Sequence, residues 1–162
     1  MTGRPTRASA AIALGSSALL TVLATTWHPV ASLAALLGTA CVAAGLYRRS
    51  RSLPGVGFGA FVVAIAAGAI AGTPTEPVLL GSLCAVLAWD AGRRSITLGV
   101  QLGREADALR LELHHAAASG AVGAFSVGIA YGLSRSLSVA LPAFAVLLLC
   151  GCVLALLFAR RA

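Results

Sequence analysis

The chain is divided into long apolar runs by short breaks rich in arginine, proline or glycine. A helix needs about 20 consecutive apolar residues to cross a bilayer. The composition agrees with this, since the 162 residues are 59% hydrophobic and only 10% charged, whereas a soluble domain is about 25% charged. The sequence therefore predicts an all-α polytopic membrane helix bundle in a single domain, residues 1–162. About six transmembrane helices are expected, at residues 9–26, 29–47, 56–71, 77–92, 116–133 and 137–158.

The arginines indicate how such a bundle is oriented. All twelve cations are arginine, and they cluster at the ends of the apolar runs. With a cytoplasmic N terminus, six spans place eleven arginines inside and Arg135 alone outside, which is the pattern of the positive-inside rule. We predict a cell-membrane protein with cytoplasmic N and C termini. Cleavage of residues 1–26 as a signal peptide would leave the same faces inside, although no small-x-small cleavage site is evident.

The net charge of +7 raises the question of nucleic acid, because basic clusters can bind it. Here the arginines flank apolar runs, where they anchor helices at anionic headgroups. The expected partner is therefore the lipid bilayer, and no nucleic acid is expected.

Small residues repeat along several of the predicted helices. They allow helices to approach closely in a membrane. The longest row, in the fifth predicted span, consists of Ala116, Gly120, Ala124, Gly128 and Gly132. Shorter rows are Ala31, Ala35, Thr39 and Ala43, and Ala60, Ala64, Gly68 and Gly72. We expect these rows to serve packing within one chain, with a dimer interface as the alternative.

Residues 93–115 hold most of the chemical variety of the chain and predict an amphipathic cytoplasmic helix. Apolar side chains recur at helical spacing from Leu98 to Leu113, and Asp107 can pair with an arginine three residues away on either side. Such a helix lies along headgroups or binds a partner's groove; a solvated face is the alternative. With the preceding Asp90, the candidate interaction residues are Asp90, Leu102, Arg104, Glu105, Asp107, Leu109, Arg110, Glu112, Leu113 and His115.

This region also carries a resemblance. Ala88-Trp89-Asp90-Ala91-Gly92, then residues 99–107, Arg110, Glu112 and His115 resemble the signature of an uncharacterised membrane-protein family of halophilic archaea, a domain of unknown function. Members tend to be encoded near MoxR-type ATPases and their von Willebrand-like and transglutaminase-like companions. The resemblance implies an accessory role in a membrane-linked assembly and no biochemical activity. It covers residues 85–130 in detail, and the chain departs from it at Arg93-Arg94 and Leu111.

Groups that could support catalysis are few. Asp90 lies nearest the membrane interior, where acids are costly and often functional, but Arg93 and Arg94 are placed to pair with it. His114 and His115 point about 100° apart on a helix, so a metal site there would need further converging ligands. The four cysteines lie in apolar runs without a redox or zinc spacing. We expect no catalytic, cofactor or metal site.

Three functions remain open at this stage. The preferred hypothesis is a structural or accessory membrane subunit whose 93–115 helix docks a cytoplasmic partner. The first alternative is a small transporter or channel subunit, although transporters place polar groups near the bilayer midplane and these spans look apolar there. The second is an intramembrane enzyme built from Asp90, His114 and His115.

Overall fold

A computed structural model describes residues 7–50, 52–101, 117–118, 120–129 and 131–132 of the chain, with the backbone alone for residues 7 and 98–101. Within these residues every regular element is a helix, so the predicted all-α class is confirmed there. The helices are α1 (Arg7–Thr25), α2 (Pro29–Arg48), α3 (Leu53–Ile70) and α4 (Thr75–Gln101), followed by a shorter apolar helix, α5 (Gly120–Ile129).

Local sequence explains where these helices begin and end. His28 is extended and its Nδ1 accepts a hydrogen bond from the Val30 N–H, while Pro29 opens α2, where a missing N–H costs nothing. The α3 helix also begins with a proline, Pro54. It ends at Ile70. Gly72 follows with a φ of 81°, which suits a residue without a Cβ, and the Thr73 N–H bonds the Gly68 carbonyl.

The first four helices form an antiparallel bundle joined by short turns. Around the bundle, α1 packs against α2 and α4, and α3 packs against the same two helices. The core lies between them and is built mainly from small side chains, with Phe61, Leu20 and Val42 among the largest fully buried side chains. Large apolar side chains such as Leu33, Leu37 and Val63 face outward. An apolar exterior of this kind suits a lipid environment.

Three helices are long and apolar enough to cross a membrane: Ala8–Thr25, Pro29–Arg48 and Leu53–Ile70. This is fewer than the six or so predicted. The fourth helix carries Glu76, Asp90, Arg93 and Arg94, which lower its hydropathy. The described part of α5 spans only 10 residues, and the predicted span 137–158 lies outside the described residues.

The helix contacts follow a different spacing from the small-residue rows expected in α2 and α3. The buried stripes are Ala31, Ala35, Gly38, Val42 and Gly45 in α2, and Pro54, Gly57, Phe61, Ala64 and Gly68 in α3. Thr39 and Ala60 are only half-buried, and Ala43 and Gly72 are exposed. A strict four-residue row rotates by about 40° at each step, whereas alternating steps of three and four stay on one face. Two members of each predicted row, Ala31 and Ala35 in α2 and Ala64 and Gly68 in α3, lie on the buried stripe, and the other two members of each row do not.

Candidate functional site: the arginine-rich end of the bundle

The tertiary structure brings two distant arginine pairs to one end of the bundle through Pro54. A Cβ built on Gly45 of α2 would lie 2.8 Å from the Pro54 Cδ, and one built on Gly92 of α4 would lie 3.6 Å from the Pro54 Cβ. Pro54 is fully buried between these two glycines. Arg48 and Arg49 follow Gly45 by one helical turn, and Arg93 and Arg94 follow Gly92 directly. We call this the arginine end.

The two arginines of α4 have different surroundings. The Arg94 Nε donates a 3.0 Å hydrogen bond to the Asp90 Oδ1 in an i,i+4 ion pair. The Arg93 guanidinium instead lies over the Trp89 ring, 5.3 Å from its centroid. Trp89 in turn contacts Phe58 of α3 at 5.3 Å between ring centroids. The pairing predicted for Asp90 is thus present with Arg94, while Arg93 takes a cation–π contact.

The α2 helix ends with Arg49 in the left-handed conformation, at φ 55° and ψ 32°. Its N–H and that of Ser50 both bond the Gly45 carbonyl. This position in a helix end is usually glycine, because a side chain there costs roughly 1 kcal/mol. Arg48 and Arg49 are both exposed. The chain therefore holds an exposed cation in a strained conformation at this end.

Beyond the level of Pro54, α1 and α4 continue as a pair. Gly92 lies level with Ala13, because a Cβ on Gly92 would be 3.8 Å from that of Ala13. The α4 helix continues for nine more residues to Gln101, about 14 Å at 1.5 Å per residue. Ser95 and Ile96 in this extension are buried, as is Ser9 of α1. We call residues 7–12 and 93–101 the projecting pair.

The projecting pair bears on the predicted 93–115 helix. Residues 93–101 continue α4 beyond the level of Pro54. His114 lies outside the described residues. So do the candidate interaction residues of this segment, which are Leu102, Arg104, Glu105, Asp107, Leu109, Arg110, Glu112, Leu113 and His115.

The small-residue row of the fifth span is only partly described, since Ala116 lies outside the described residues. Ala124, Gly128 and Gly132 are exposed, and a Cβ on Gly120 or Gly128 would meet no atom within 4 Å. The described contact to α4 is made instead by Gly123, where a Cβ would lie 2.5 Å from the Leu83 Cδ1. What covers the predicted row stays untested.

A hydroxyl cluster joins the central turns of α1 and α2, where we expected apolar surfaces. The Thr21 and Thr39 hydroxyls lie 2.8 Å apart, and Thr39 also donates to the Ser17 carbonyl at 3.2 Å. Ser17 is fully buried and its hydroxyl bonds the Leu14 carbonyl. Hydroxyl pairs of this kind hold helices together in apolar surroundings. Serine and threonine at the centre of two apolar runs were the missed signal.

The opposite end of the bundle is organised by Trp27. Its ring lies between α3 and α4, so that a Cβ on Gly68 or Gly81 would come within 2.6 Å or 2.5 Å of ring carbons. The indole N–H is buried with no acceptor among the described residues. A cavity of about 450 Å³ lies beside it, lined by Thr26, Trp27, residues 71–74 and Pro77. The indole thus packs into the bundle.

Comparison with known proteins identifies a family. A family model described as a family of unknown function (DUF7519) matches residues 3–157. The chain belongs to this family. No curated protein and no solved structure matches it. Within the described residues, no three histidine, cysteine or acidic side chains are grouped to hold a metal ion. Family membership therefore assigns no activity to this DUF7519 chain, and its function is inferred from its own geometry.

Proposed function

We propose that this DUF7519 chain is a multi-pass membrane protein of about six spans, with both termini cytoplasmic. It serves as a structural or accessory subunit whose 93–115 segment docks a cytoplasmic partner. The observation that carries the proposal is the projecting pair. It extends α4 beyond the bundle at the end where the arginines gather, and the positive-inside rule assigns that end to the cytoplasm.

The docking role is supported by the packing of the helix from which the 93–115 segment begins. Residues 93–101 continue α4, and Ser95 and Ile96 are buried, so the described start of the 93–115 segment is packed. Preorganised surfaces lose less conformational freedom on binding. The resemblance to the family of halophilic archaea implies a place beside MoxR-type ATPases and their companions, so a partner from such an assembly is part of the proposal.

Transport is less well supported. The carboxylate of Asp90 is engaged by Arg94 near the arginine end of the bundle, whereas transporters place their sites near the midplane. The polar groups that do lie near the middle, on Ser17, Thr21 and Thr39, bond to one another or to backbone carbonyls. These hydroxyls are used in helix packing.

The topology predicts which turns are reached from outside the cell. In a variant with all four cysteines replaced by alanine, Thr73→Cys and Ser136→Cys should react with a membrane-impermeant maleimide in intact cells. Ser50→Cys and Ala162→Cys should react only after permeabilisation, because they lie at the opposite ends of their spans. Labelling of Ser50→Cys in intact cells, or equal labelling of Ser136→Cys and Ala162→Cys from one side, would contradict the six-span arrangement.

The docking proposal is tested by copurification. The full-length chain, isolated in mild detergent, should retain a cytoplasmic partner that is lost when Leu102, Leu109 and Leu113 are all changed to serine, because this removes the apolar stripe. The matched control changes the exposed Leu33, Leu36 and Leu37 of α2 to alanine and should keep the partner. Retention by the serine variant, or equal loss in the control, would contradict docking through this helix.

A further inference from the structure

We propose that Arg48, Arg49 and Arg93 together bind the phosphate of an anionic phospholipid, while Arg94 takes no part. This rests on the membrane placement given under the proposed function, but it does not depend on a protein partner. The chemistry recognised is a phosphate monoanion, and the proposed source is a lipid headgroup such as that of phosphatidylglycerol. Guanidinium groups suit it because their planar donors match phosphate oxygens.

The first support is convergence. Arg48 and Arg49 are more than forty residues from Arg93 in the chain, yet Pro54 contacts both Gly45 and Gly92 just before them. The cations therefore lie at one level of the bundle, at the end of helices whose outer faces are apolar. Lipid headgroups occupy this level when apolar helices cross a bilayer.

The second support is the difference between the two adjacent arginines. The Arg94 guanidinium is committed to the Asp90 carboxylate, which offsets its charge. The Arg93 guanidinium rests on the face of Trp89, and a guanidinium stacked in this way keeps the in-plane N–H donors that bind phosphate. Among the described side chains at this end, the cations with no ion-paired carboxylate are thus Arg93 and the exposed pair of α2.

The third support is the backbone of Arg49. An arginine occupies a left-handed helix end where glycine would be less strained. Strained residues persist where they serve a site or where the surroundings impose them. At an exposed helix end, arginine differs from glycine by offering a charged side chain.

The principal test measures lipid binding to the purified full-length chain in zwitterionic nanodiscs, titrated with phosphatidylglycerol and followed by native mass spectrometry. Arg93→Gln should weaken binding about fivefold, since one arginine near an anionic surface contributes about 1 kcal/mol. The paired change Asp90→Asn with Arg94→Gln should alter it less than twofold. Arg161→Gln removes the same charge near the C terminus and should also have less than a twofold effect. Equal weakening by Arg93→Gln and Arg161→Gln would overturn the site and leave only general attraction.

A second variant separates binding from folding. Arg49→Gly should raise the melting temperature in neutral detergent, because it relieves the left-handed conformation, and should weaken phosphatidylglycerol binding severalfold. A purely structural arginine would give unchanged lipid binding in this variant, which would contradict the proposal.

The source of the phosphate is settled by competing probes. Inorganic phosphate at millimolar concentration should not displace phosphatidylglycerol, and phosphatidylcholine should not replace it. Displacement by inorganic phosphate would overturn the lipid assignment in favour of a soluble anion. Failure of the chain to insert into the membrane would refute the proposed function itself, whereas normal insertion with no preference among lipids would refute only this inference.

Discussion

Replacing Gly57 with alanine is expected to lower the free energy of unfolding by about 1–3 kcal/mol, as overpacking a close contact does. A Cβ at this position would lie 2.8 Å from the carbonyl oxygen of Gly38 and 3.1 Å from the Val42 Cγ2. The oxygen belongs to the α2 backbone, so the helices must separate to admit a methyl group. Unfolding of the purified protein in mixed micelles, titrated with a denaturing detergent, measures the loss.

The control for this change lies two residues away on the same helix. Gly59 is exposed, and a Cβ there meets no atom within 4 Å. Gly59→Ala should therefore be neutral or stabilise the protein by up to about 1 kcal/mol, through higher helix propensity. If both variants lost the same stability, close contact between α2 and α3 would not be the cause.

The largest loss of stability is expected from Trp27→Ala, at about 3–5 kcal/mol. The ring fills the space that Gly68 and Gly81 leave between α3 and α4, so its removal opens a hole between these two helices. Trp27→Phe should cost much less, because it keeps an aromatic ring and removes an N–H that has no acceptor among the described residues. The same detergent titration, with circular dichroism as the signal, measures both variants.

An exposed aromatic residue provides the comparison. Tyr47 of α2 is 90% exposed, and Tyr47→Ala should change stability by no more than about 0.5 kcal/mol, as is usual for surface positions. Equal losses for Trp27→Ala and Tyr47→Ala would mean that the indole does not lock α3 and α4 together.

Local signals in the sequence were sufficient to locate the first three of the described helices. Predicted spans at 9–26, 29–47 and 56–71 correspond to helices Arg7–Thr25, Pro29–Arg48 and Leu53–Ile70. Long apolar runs and proline at helix starts are local signals, so they can be recognised without knowing the fold. The fourth helix is longer than the predicted span 77–92. It continues through both arginines, of which Arg93 rests on Trp89 and Arg94 pairs with Asp90.

The faces through which the helices pack were harder to predict from the sequence. Rows such as Ala60 and Gly72 follow a simple repeat, but the helices pack through the stripe that includes Gly57 and Phe61. Which of several small-residue rows is buried depends on how a helix is rotated against its neighbours, and composition alone does not specify that in an alanine- and glycine-rich helix. The hydroxyl contact between Thr21 and Thr39 was hidden for the same reason.

By itself, the sequence determined that this is a helical chain with several apolar segments and with arginines gathered at their ends, since hydropathy and charge are properties of each segment. Only the tertiary structure decided that Pro54 lies between Gly45 of α2 and Gly92 of α4. It also decided that Asp90 engages Arg94 while Arg93 rests on Trp89. The Pro54 contacts join residues far apart in the chain, so they are set by the rotation and level of packed helices. The two arginine contacts are local to α4, but Trp89, on which Arg93 rests, packs against Phe58 of α3.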